Sequence, residues 1–589
     1  MRGLIVEVAR RLVKELAPIG EVRAGGREER IVLDVLRARL EDLLGVRARL
    51  DPVPVLYWAE KEPPLLEACG YRIRGAAWPG SPRADLEARL VAAEPRIEPG
   101  YWARLGVEDS IVLVELPEEL DDADTIYLYV VENGGLGVVF YDRWPGRLRR
   151  IVVTGSWGYS FEAGQPPPIP VAHMRREDAL KLLSLCREGA RARLWLNISY
   201  REDVGYNLLA TIAEGEEGYV LVTCHHDHWF TGANDNLAGI AAAIATLLDV
   251  EELLKGSKLG VRLASFTAEE YGSPLQPGWY WSWGSRYYAE NLERMGLLEE
   301  IVAVLNYDMP SGRLKIHATG VEMQRLLERA AQAVGVKSVH VGLDSCYTDS
   351  FSFSRLGVPS ASIIDLEGYL EYYHTDLDEP SRLDYDAIAA AVAVYREAIR
   401  ILAREGLEAL DYRGYAERIY EEAQHYPPPL RASAYKLLRE TEKSLEEGRL
   451  KTVARAYRRL NRLAVRPVFR GDYRLSSGGF TNTLLPQLDA ARAYQSLLEA
   501  IEEGDWGRVE KVPYKIIVPG DERVLAELRP LGRVEPAWLE ALRVAAKAQY
   551  DRLLEEARLV LEEAYQIMLR DRLRESMEKL SRDPRRGGP

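Results

Sequence analysis

The chain carries histidine and carboxylate side chains at points where apolar runs end. His225 and Asp227 follow the apolar run 219–224, and Asp235 lies ten residues after His225 in the sequence GANDN. Imidazole nitrogens and carboxylate oxygens together suit zinc and similar divalent metals. This stretch therefore predicts one half of a metal site.

Three later apolar runs end in side chains of the same kind. These are Glu269 and Glu270 after residues 261–266, Asp308 after residues 301–306, and His374 in the loop after residues 361–364. In open α/β sheets, ligands bind at the carboxyl ends of the strands. Four such strand ends on one sheet indicate that these side chains share a site, rather than that each lies in a separate solvated loop.

These histidine and carboxylate side chains fit a site for two divalent metals, which needs a bridging carboxylate and terminal ligands on each ion. We expect Asp235 to bridge, with His225 and Asp308 completing one ion and Glu270 and His374 completing the other. Zn²⁺ is the expected metal, and Co²⁺ and Mn²⁺ are alternatives. Metals lower the pKa of bound water towards neutrality, so a hydroxide bridging the two ions would attack the substrate.

Three neighbouring side chains complete the predicted catalytic group. Glu269, left without a metal, would act as general base and then as proton donor. Asp227 would accept the second ring N–H of His225 and so fix its tautomer. Tyr373 would donate to the oxyanion of a tetrahedral intermediate.

The elements that position these groups follow from the alternation of strand-like and helix-like patterns over residues 198–404. This alternation predicts an α/β fold with a mostly parallel central sheet and helices on both faces. Residues 81–197 read as a β-rich insert, with strand-like runs at 110–116, 125–131, 137–141 and 149–154. The predicted domains are 1–80 with 198–404, then 81–197, then an all-α domain at 405–589.

The last predicted domain contains a long helical pattern. Apolar residues recur at spacings of three and four over residues 539–567. Such a stripe packs against another helix, either within the domain or in a second copy of the chain. A homodimer through this domain is therefore one expectation.

Composition limits the partners and the compartment. The 589 residues are 47% hydrophobic and 29% charged, with a net charge of −14 and no basic block, so neither nucleic acid nor a membrane is expected as a partner. No apolar run reaches the roughly 18 residues of a membrane span. Four scattered cysteines argue against a disulfide framework and favour a reducing, cytoplasmic location.

The motifs HHD, GANDN, AEE, NYD and YHT, in this order, resemble those of the M28 family of zinc peptidases. The resemblance covers residues 1–80 and 198–404, and it implies the same five ligands, with Glu269 as base. Residues 81–197 resemble a protease-associated domain. Together with a helical C-terminal domain, this order is similar to the glutamate carboxypeptidase and transferrin receptor branch, which forms dimers.

Two positions depart from the family pattern. Ser350 stands where the run SDH-x-x-F has histidine, and His228 follows Asp227 where a small or hydroxyl residue is usual. His226 and His228 are alternative ligands, although we expect them to pack beside the site. The aromatic segment 277–283 either walls a substrate pocket or packs against another domain.

The leading functional hypothesis is an aminopeptidase acting on peptide substrates. A carboxypeptidase of the same chemistry is the first alternative, and it would need a cationic pocket for which Arg286 is a candidate. A non-catalytic, receptor-like protein would have lost ligands that are intact here. A one-zinc glutaminyl cyclase would dispense with the first histidine, and the presence of His225 and Asp308 argues against it.

Overall fold

The computed structural model describes residues 1–156, 163–337, 339–344, 346–465, 485–505, 508 and 536–581. The helices are α1 (Arg2–Leu16), α2 (Arg27–Leu44), α3 (Pro99–Leu105), α4 (Asp122–Glu132), α5 (Arg176–Leu185), α6 (Gly239–Thr246), α7 (Val250–Leu253), α8 (Trp283–Met295), α9 (Gly320–Ala333), α10 (Ser350–Ser354), α11 (Leu366–Tyr369), α12 (Tyr385–Glu405), α13 (Tyr412–Ala423), α14 (Pro428–Glu446), α15 (Leu450–Val465), α16 (Pro486–Glu503) and α17 (Pro536–Ser581).

The strands are β1 (Arg49–Ala68), β2 (Tyr71–Arg74), β3 (Ala76–Ala77), β4 (Ala84–Ala93), β5 (Ser110–Glu115), β6 (Gly137–Tyr141), β7 (Val171–Met174), β8 (Arg191–Ala213), β9 (Tyr219–His225), β10 (Gly260–Phe266), β11 (Ile301–Tyr307), β12 (Lys315–Ala318), β13 (His340–Leu343) and β14 (Ser360–Ile363). They form one sheet in the order β13-β12-β14-β11-β9-β10-β8-β4-β5-β6-β7-β3, with β1 pairing with β8 and β2.

The centre of the sheet is parallel. β9 pairs in parallel with β10 and β11, and β11 pairs in parallel with β14, so the carboxyl ends of these four strands meet at one edge. Every residue of β9 is buried, as expected for a strand covered on both faces. The predicted fold class is therefore confirmed.

Helices cover both faces of this central part. On one face α6 lies between the sheet and the helices α1 and α12. All of its residues are buried, and most are alanine or glycine, whose small side chains let the helix lie close to the strands. On the other face Tyr288 of α8 and Phe353 of α10 pack against Phe266 of β10.

The inserted part contains helices as well as strands. The run 125–131, predicted to be a strand, is helix α4. Its β-branched and aromatic residues favour a strand, but Asp122 and Asp124 in its first turn favour a helix N-terminus. Residues 125–130 are all buried, so no helical period shows in this part of the sequence.

Two further predictions for this part meet a different structure. Residues 149–154, predicted to be a strand, contain only a single bridge between Arg149 and Thr375. The predicted boundary at 197–198 falls inside β8, which pairs with β4 through its first half and with β10 through its second half. One sheet runs through both parts, and their division into domains stays a prediction.

The sequence argues against a disulfide framework, but two of the four cysteines are paired. Cys69 follows β1, Cys186 follows α5, and the two form a disulfide with a Cα–Cα distance of 5.6 Å. A separation of 117 residues hides this pair from any local pattern. Cys224 and Cys346 are buried free thiols.

The helices after residue 405 pack against one another, and α13 packs against α9 of the sheet part. α17 packs against α14, α15 and α16 within the same chain. Its buried face includes Leu542, Ala546, Leu553, Ala557 and Val560. The stripe therefore has a partner in its own chain, and the homodimer stays a prediction. Among the helices that the structure describes, none is long and apolar enough to cross a membrane.

Candidate metal centre

The carboxyl edge of the parallel strands brings the five predicted ligands into two clusters. His225 ends β9, and Asp308 follows β11; with Asp235 they form the first cluster. Asp235, Glu270 and His374 form the second. Within each cluster the potential ligand atoms lie within 4.8 Å of one another.

Asp235 is shared between the two clusters through its two carboxylate oxygens. Its Oδ1 lies 3.4 Å from Nε2 of His225, and its Oδ2 lies 3.3 Å from Nε2 of His374. Nε2 of His225 is 3.8 Å from Oδ1 of Asp308, and Nε2 of His374 is 2.9 Å from Oε2 of Glu270. This geometry is that of a bridging carboxylate between two sets of terminal ligands.

The donor set fits two divalent cations. Nε2 of His225 and Oε1 of Glu270 are buried and have no hydrogen-bond partner in the described part of the chain. Such atoms need a partner when they are removed from water. Mixed nitrogen and oxygen donors suit Zn²⁺, which would satisfy both.

Burial and mutual proximity shift the proton affinities of these groups. Burial raises the pKa of Glu270 to about 8 and raises the pKa of Glu269 well above its ordinary value. Burial also opposes ionisation of Asp235, but the nearby rings of His225 and His374 outweigh it and lower its pKa. Several carboxylates confined in one buried space are stabilised in their charged form by a bound cation.

The role predicted for Asp227 requires a correction. Nδ1 of His225 bonds to the backbone carbonyl of Asp227 at 3.0 Å, whereas the nearer carboxylate oxygen is 3.9 Å away. The carboxylate instead accepts the backbone N–H groups of Glu269 and Glu270, each at 3.0 Å. These two backbone donors, in the loop after β10, lie within hydrogen-bond distance of the carboxylate, and the ring nitrogen does not.

Glu269 lies beside the second cluster and lines the same cavity as Glu270 and His374. Its Oε1 accepts a hydrogen bond from Oγ of Ser282 at 2.9 Å. Sequence reasoning did not single out Ser282, which belongs to the aromatic segment 277–283. This contact fixes the carboxylate that we predict to be the base.

Tyr373 also lies at the cavity, with its ring stacked on His374 at a centroid distance of 3.6 Å. Burial raises the pKa of its hydroxyl well above the ordinary value, so the group keeps its proton and can donate. This position is compatible with the predicted contact to an oxyanion.

Asp378 is a second residue that sequence reasoning missed. Its carboxylate accepts the backbone N–H groups of Asn234 at 2.9 Å and Asp235 at 3.1 Å. Tyr369 donates to the same carboxylate at 2.6 Å. Asp378 therefore ties the segment after His374 to the loop that carries Asp235. Its position four residues after His374 was the available signal.

His226 and His228 join neither cluster. Nδ1 of His226 bonds to Oγ of Ser265 at 3.0 Å, and its Nε2 lies 3.5 Å from Glu29. Burial lowers the pKa of His228 to about 4, so this side chain is neutral. Both histidines pack beside the site, as expected.

A cavity of about 110 Å³ opens onto the second cluster between the sheet part and the insert. Its described lining consists of Leu120, Asp121, Asp124, Thr125, Leu128, Ile151, Val152, Glu269, Glu270, Gly278, Tyr280, Trp281, Tyr347, Tyr373 and His374. The aromatic segment thus contributes to the wall, although Trp279 is buried against Phe351.

Arg286, the candidate cation for a substrate carboxylate, does not line this cavity. Its side chain is buried in α8, where it donates to the carbonyl of Trp279 at 3.0 Å. The guanidinium also lies over the rings of Trp279 and Trp283. Arg286 therefore holds the aromatic segment in place.

Comparisons with known proteins agree with this fold. Residues 207–399 match the model of Peptidase family M28. BSAP, a zinc aminopeptidase from Bacillus subtilis, aligns at 20% identity and a TM-score of 0.53, over 67% of this chain and 94% of that chain. A Peptidase M28 precursor from Shewanella amazonensis aligns at 21% identity and a TM-score of 0.53, over 68% and 97%.

Other comparisons add less. A glutaminyl cyclase from an Acidobacteriales bacterium aligns at 21% identity over 35% of this chain and 76% of that chain, with a TM-score of 0.31 that is too low to carry an argument. No curated protein matches the chain at a significant level. The resemblance to family M28 is confirmed over residues 207–399, and this match supports a peptidase.

Proposed function

We propose that the protein is an aminopeptidase that uses two divalent ions, most simply Zn²⁺. The observation that carries the proposal is the shared carboxylate of Asp235, which faces His225 through one oxygen and His374 through the other. Asp308 and Glu270 complete the two sets of ligands. The match of residues 207–399 to Peptidase family M28 supports the same chemistry.

The residues around the site suit hydrolysis of a peptide bond. Ions held by the two clusters would act as Lewis acids towards the substrate carbonyl and would lower the pKa of a water. Glu269 takes one proton from the attacking water and returns it to the leaving amine. Tyr373 donates a hydrogen bond to the carbonyl oxygen as negative charge develops there.

The charge of the cavity favours a free amino terminus over a carboxylate in the substrate. Asp121 and Asp124 line the cavity outside the ligand set. Within the described lining there is no lysine or arginine. Beside Asp121 and Asp124, away from the ions, an ammonium group gains Coulomb energy, whereas a C-terminal carboxylate placed there is repelled. We therefore place aminopeptidase activity ahead of carboxypeptidase activity.

Two further expectations remain proposals. Dimerisation through the helices after residue 405 would use surface other than the buried face of α17. The cytoplasmic location has to accommodate the disulfide between Cys69 and Cys186. Disulfides persist in oxidising compartments and in the cytoplasm of hyperthermophiles. A cytoplasmic location is therefore consistent with this disulfide in the cells of a hyperthermophile.

A panel of short peptides, each with a free or an acetylated amino terminus, tests the function. Cleavage of the free-amine peptides alone, abolished by a chelator and restored by Zn²⁺ or Co²⁺, is the expected result. Equal cleavage of acetylated peptides would favour a carboxypeptidase or an endopeptidase. A purified protein that binds no divalent metal would overturn the proposal.

A further inference from the structure

Residues 147–150 of the insert lie against the loop that carries His374. The backbone N–H of Leu148 donates to Oδ1 of Asp376 at 2.8 Å, and the N–H of Asp376 donates back to the carbonyl of Leu148 at 3.0 Å. Arg147 donates to the carbonyl of Glu371 and pairs with its carboxylate at 2.9 Å. Segments more than 200 residues apart in sequence are thus joined at the candidate metal centre.

Arg149 makes the central contacts between the two segments. Its guanidinium donates to the carbonyls of Leu370 at 3.1 Å, Glu371 at 3.2 Å and Tyr373. Its side chain is 0% exposed and pairs at 2.8 Å with Asp142, which is also 0% exposed. The planar guanidinium presents five N–H donors in a fixed arrangement, so several carbonyls can be held at set positions.

A buried ion pair is weak evidence for a role in stability alone. Removing two charges from water costs as much as, or more than, their attraction returns, and apolar residues of similar volume often stabilise as well. Arg149 supplies donors for three carbonyls of one loop, which an apolar residue cannot do. The contact is therefore better explained by the need to fix that loop.

The backbone of His374 shows why the loop needs fixing. Its φ of 57° lies in the left-handed region, which residues other than glycine rarely adopt. Such conformations persist where the surroundings over-determine them. Here the carbonyl of Tyr373 accepts from Arg149, and the carbonyl of His374 accepts the backbone N–H of Arg150 at 2.9 Å. The insert therefore fixes the carbonyls of both Tyr373 and His374.

We propose that Arg149 is a positioning residue for His374, and that the insert thereby sets the metal affinity of the cluster formed by Asp235, Glu270 and His374. The inference rests on the proposed metal-dependent function. It assigns the insert a part in building the metal centre, beyond walling the substrate cavity. The cluster of His225 and Asp308 receives no such contact from Arg149.

The test measures each cluster separately. In the variant His225→Ala only the cluster with Glu270 and His374 keeps all its ligands. In His374→Ala only the cluster with His225 and Asp308 does. Arg149→Lys keeps the buried charge but loses the planar set of donors. In the His225→Ala background it should weaken Zn²⁺ binding about 10- to 100-fold, the usual loss when a partner of a metal ligand is removed. In the His374→Ala background it should leave Zn²⁺ affinity within about twofold.

Zn²⁺ affinity is read from competition with a chelating dye, and the Co²⁺ absorption spectrum reports the ligand geometry. Arg176→Lys is the matched control, because Arg176 pairs with Glu115 and donates to the carbonyl of Asp142 within the insert. Asp376→Ala loosens the same contact from the loop side and serves if Arg149→Lys does not fold. It should reproduce the selective loss.

Three outcomes are informative. Selective weakening of the Glu270 and His374 cluster by Arg149→Lys and Asp376→Ala, with Arg176→Lys unchanged, supports the inference. Equal weakening of both clusters, or no weakening of either, overturns it while the proposed function stands. A wild-type chain that binds no Zn²⁺ or Co²⁺ overturns the proposed function and the inference together.

Discussion

The carboxylate of Asp227 accepts the backbone N–H of Glu270 at 3.0 Å. Its other oxygen accepts the N–H of Glu269, also at 3.0 Å. One side chain at the end of β9 therefore fixes the backbone from which the proposed ligand and the proposed base both project. The ring of His225 is held separately, by the carbonyl of Asp227.

This relationship predicts the effect of Asp227→Asn. The amide keeps one acceptor but turns an NH₂ group towards the second backbone N–H, so Glu269 and Glu270 are displaced together. We expect kcat to fall at least about 100-fold and Zn²⁺ affinity at the Glu270 cluster to fall about tenfold. Steady-state kinetics and Zn²⁺ titration measure both. A larger loss of Zn²⁺ affinity at the His225 cluster would instead support the sequence-based prediction that Asp227 orients the His225 ring.

Glu269→Gln separates proton transfer from metal binding. The amide has nearly the same shape but cannot take a proton, so kcat should fall by about 10² to 10⁴. Metal content, measured by mass spectrometry of the dialysed protein, should match that of the wild type. Ser282→Ala removes only the hydrogen bond to Oε1 and should cost much less. Unchanged kcat in Glu269→Gln would remove the base assignment.

Asp121→Asn tests the charge of the substrate cavity. Removing one acidic group should raise KM for free-amine peptides about fivefold at low salt, because a partly exposed charge pair contributes about 1 kcal/mol. kcat should stay near the wild-type value. Asp85→Asn is the control, since Asp85 pairs with Arg193 on an exposed part of the insert. A KM that does not respond to Asp121→Asn would place the substrate ammonium group elsewhere.

The buried carboxyl of Glu322, which is not part of the metal centre, should make the stability of the fold depend on pH. Burial raises its pKa from an ordinary 4.5 to about 8, so the folded chain binds a proton that the unfolded chain has lost. This contribution is fully present below pH 4.5 and is lost as pH rises towards 8. Glu322→Gln should therefore have a higher Tm than the wild type at pH 8.5 and about the same Tm at pH 5.

The measurement is thermal unfolding from pH 5 to 9. Glu328→Gln provides the control, because Glu328 is exposed on the same helix, α9. A constant Tm difference between Glu322→Gln and the wild type over this range would show that Glu322 does not titrate with folding.

The amino-acid sequence by itself determined the fold class and the grouping of the five ligand candidates. His225 and Asp308 are recognisable because each stands at the end of a buried apolar run, and parallel strands bring such positions to one edge. That information is local, since residue type and strand pattern suffice to read it. Helix α4 was not predicted because the burial of six successive residues, 125–130, hides the helical period.

Only the tertiary structure decided how these groups are held. The choice of Asp227 between the ring of His225 and the end of β10 depends on distances between separate strands. The disulfide of Cys69 and the contact of Arg149 with the His374 loop join segments more than 100 residues apart. Such contacts form because the tertiary fold brings distant segments together. The spacing of residues along the sequence does not show which segments will meet.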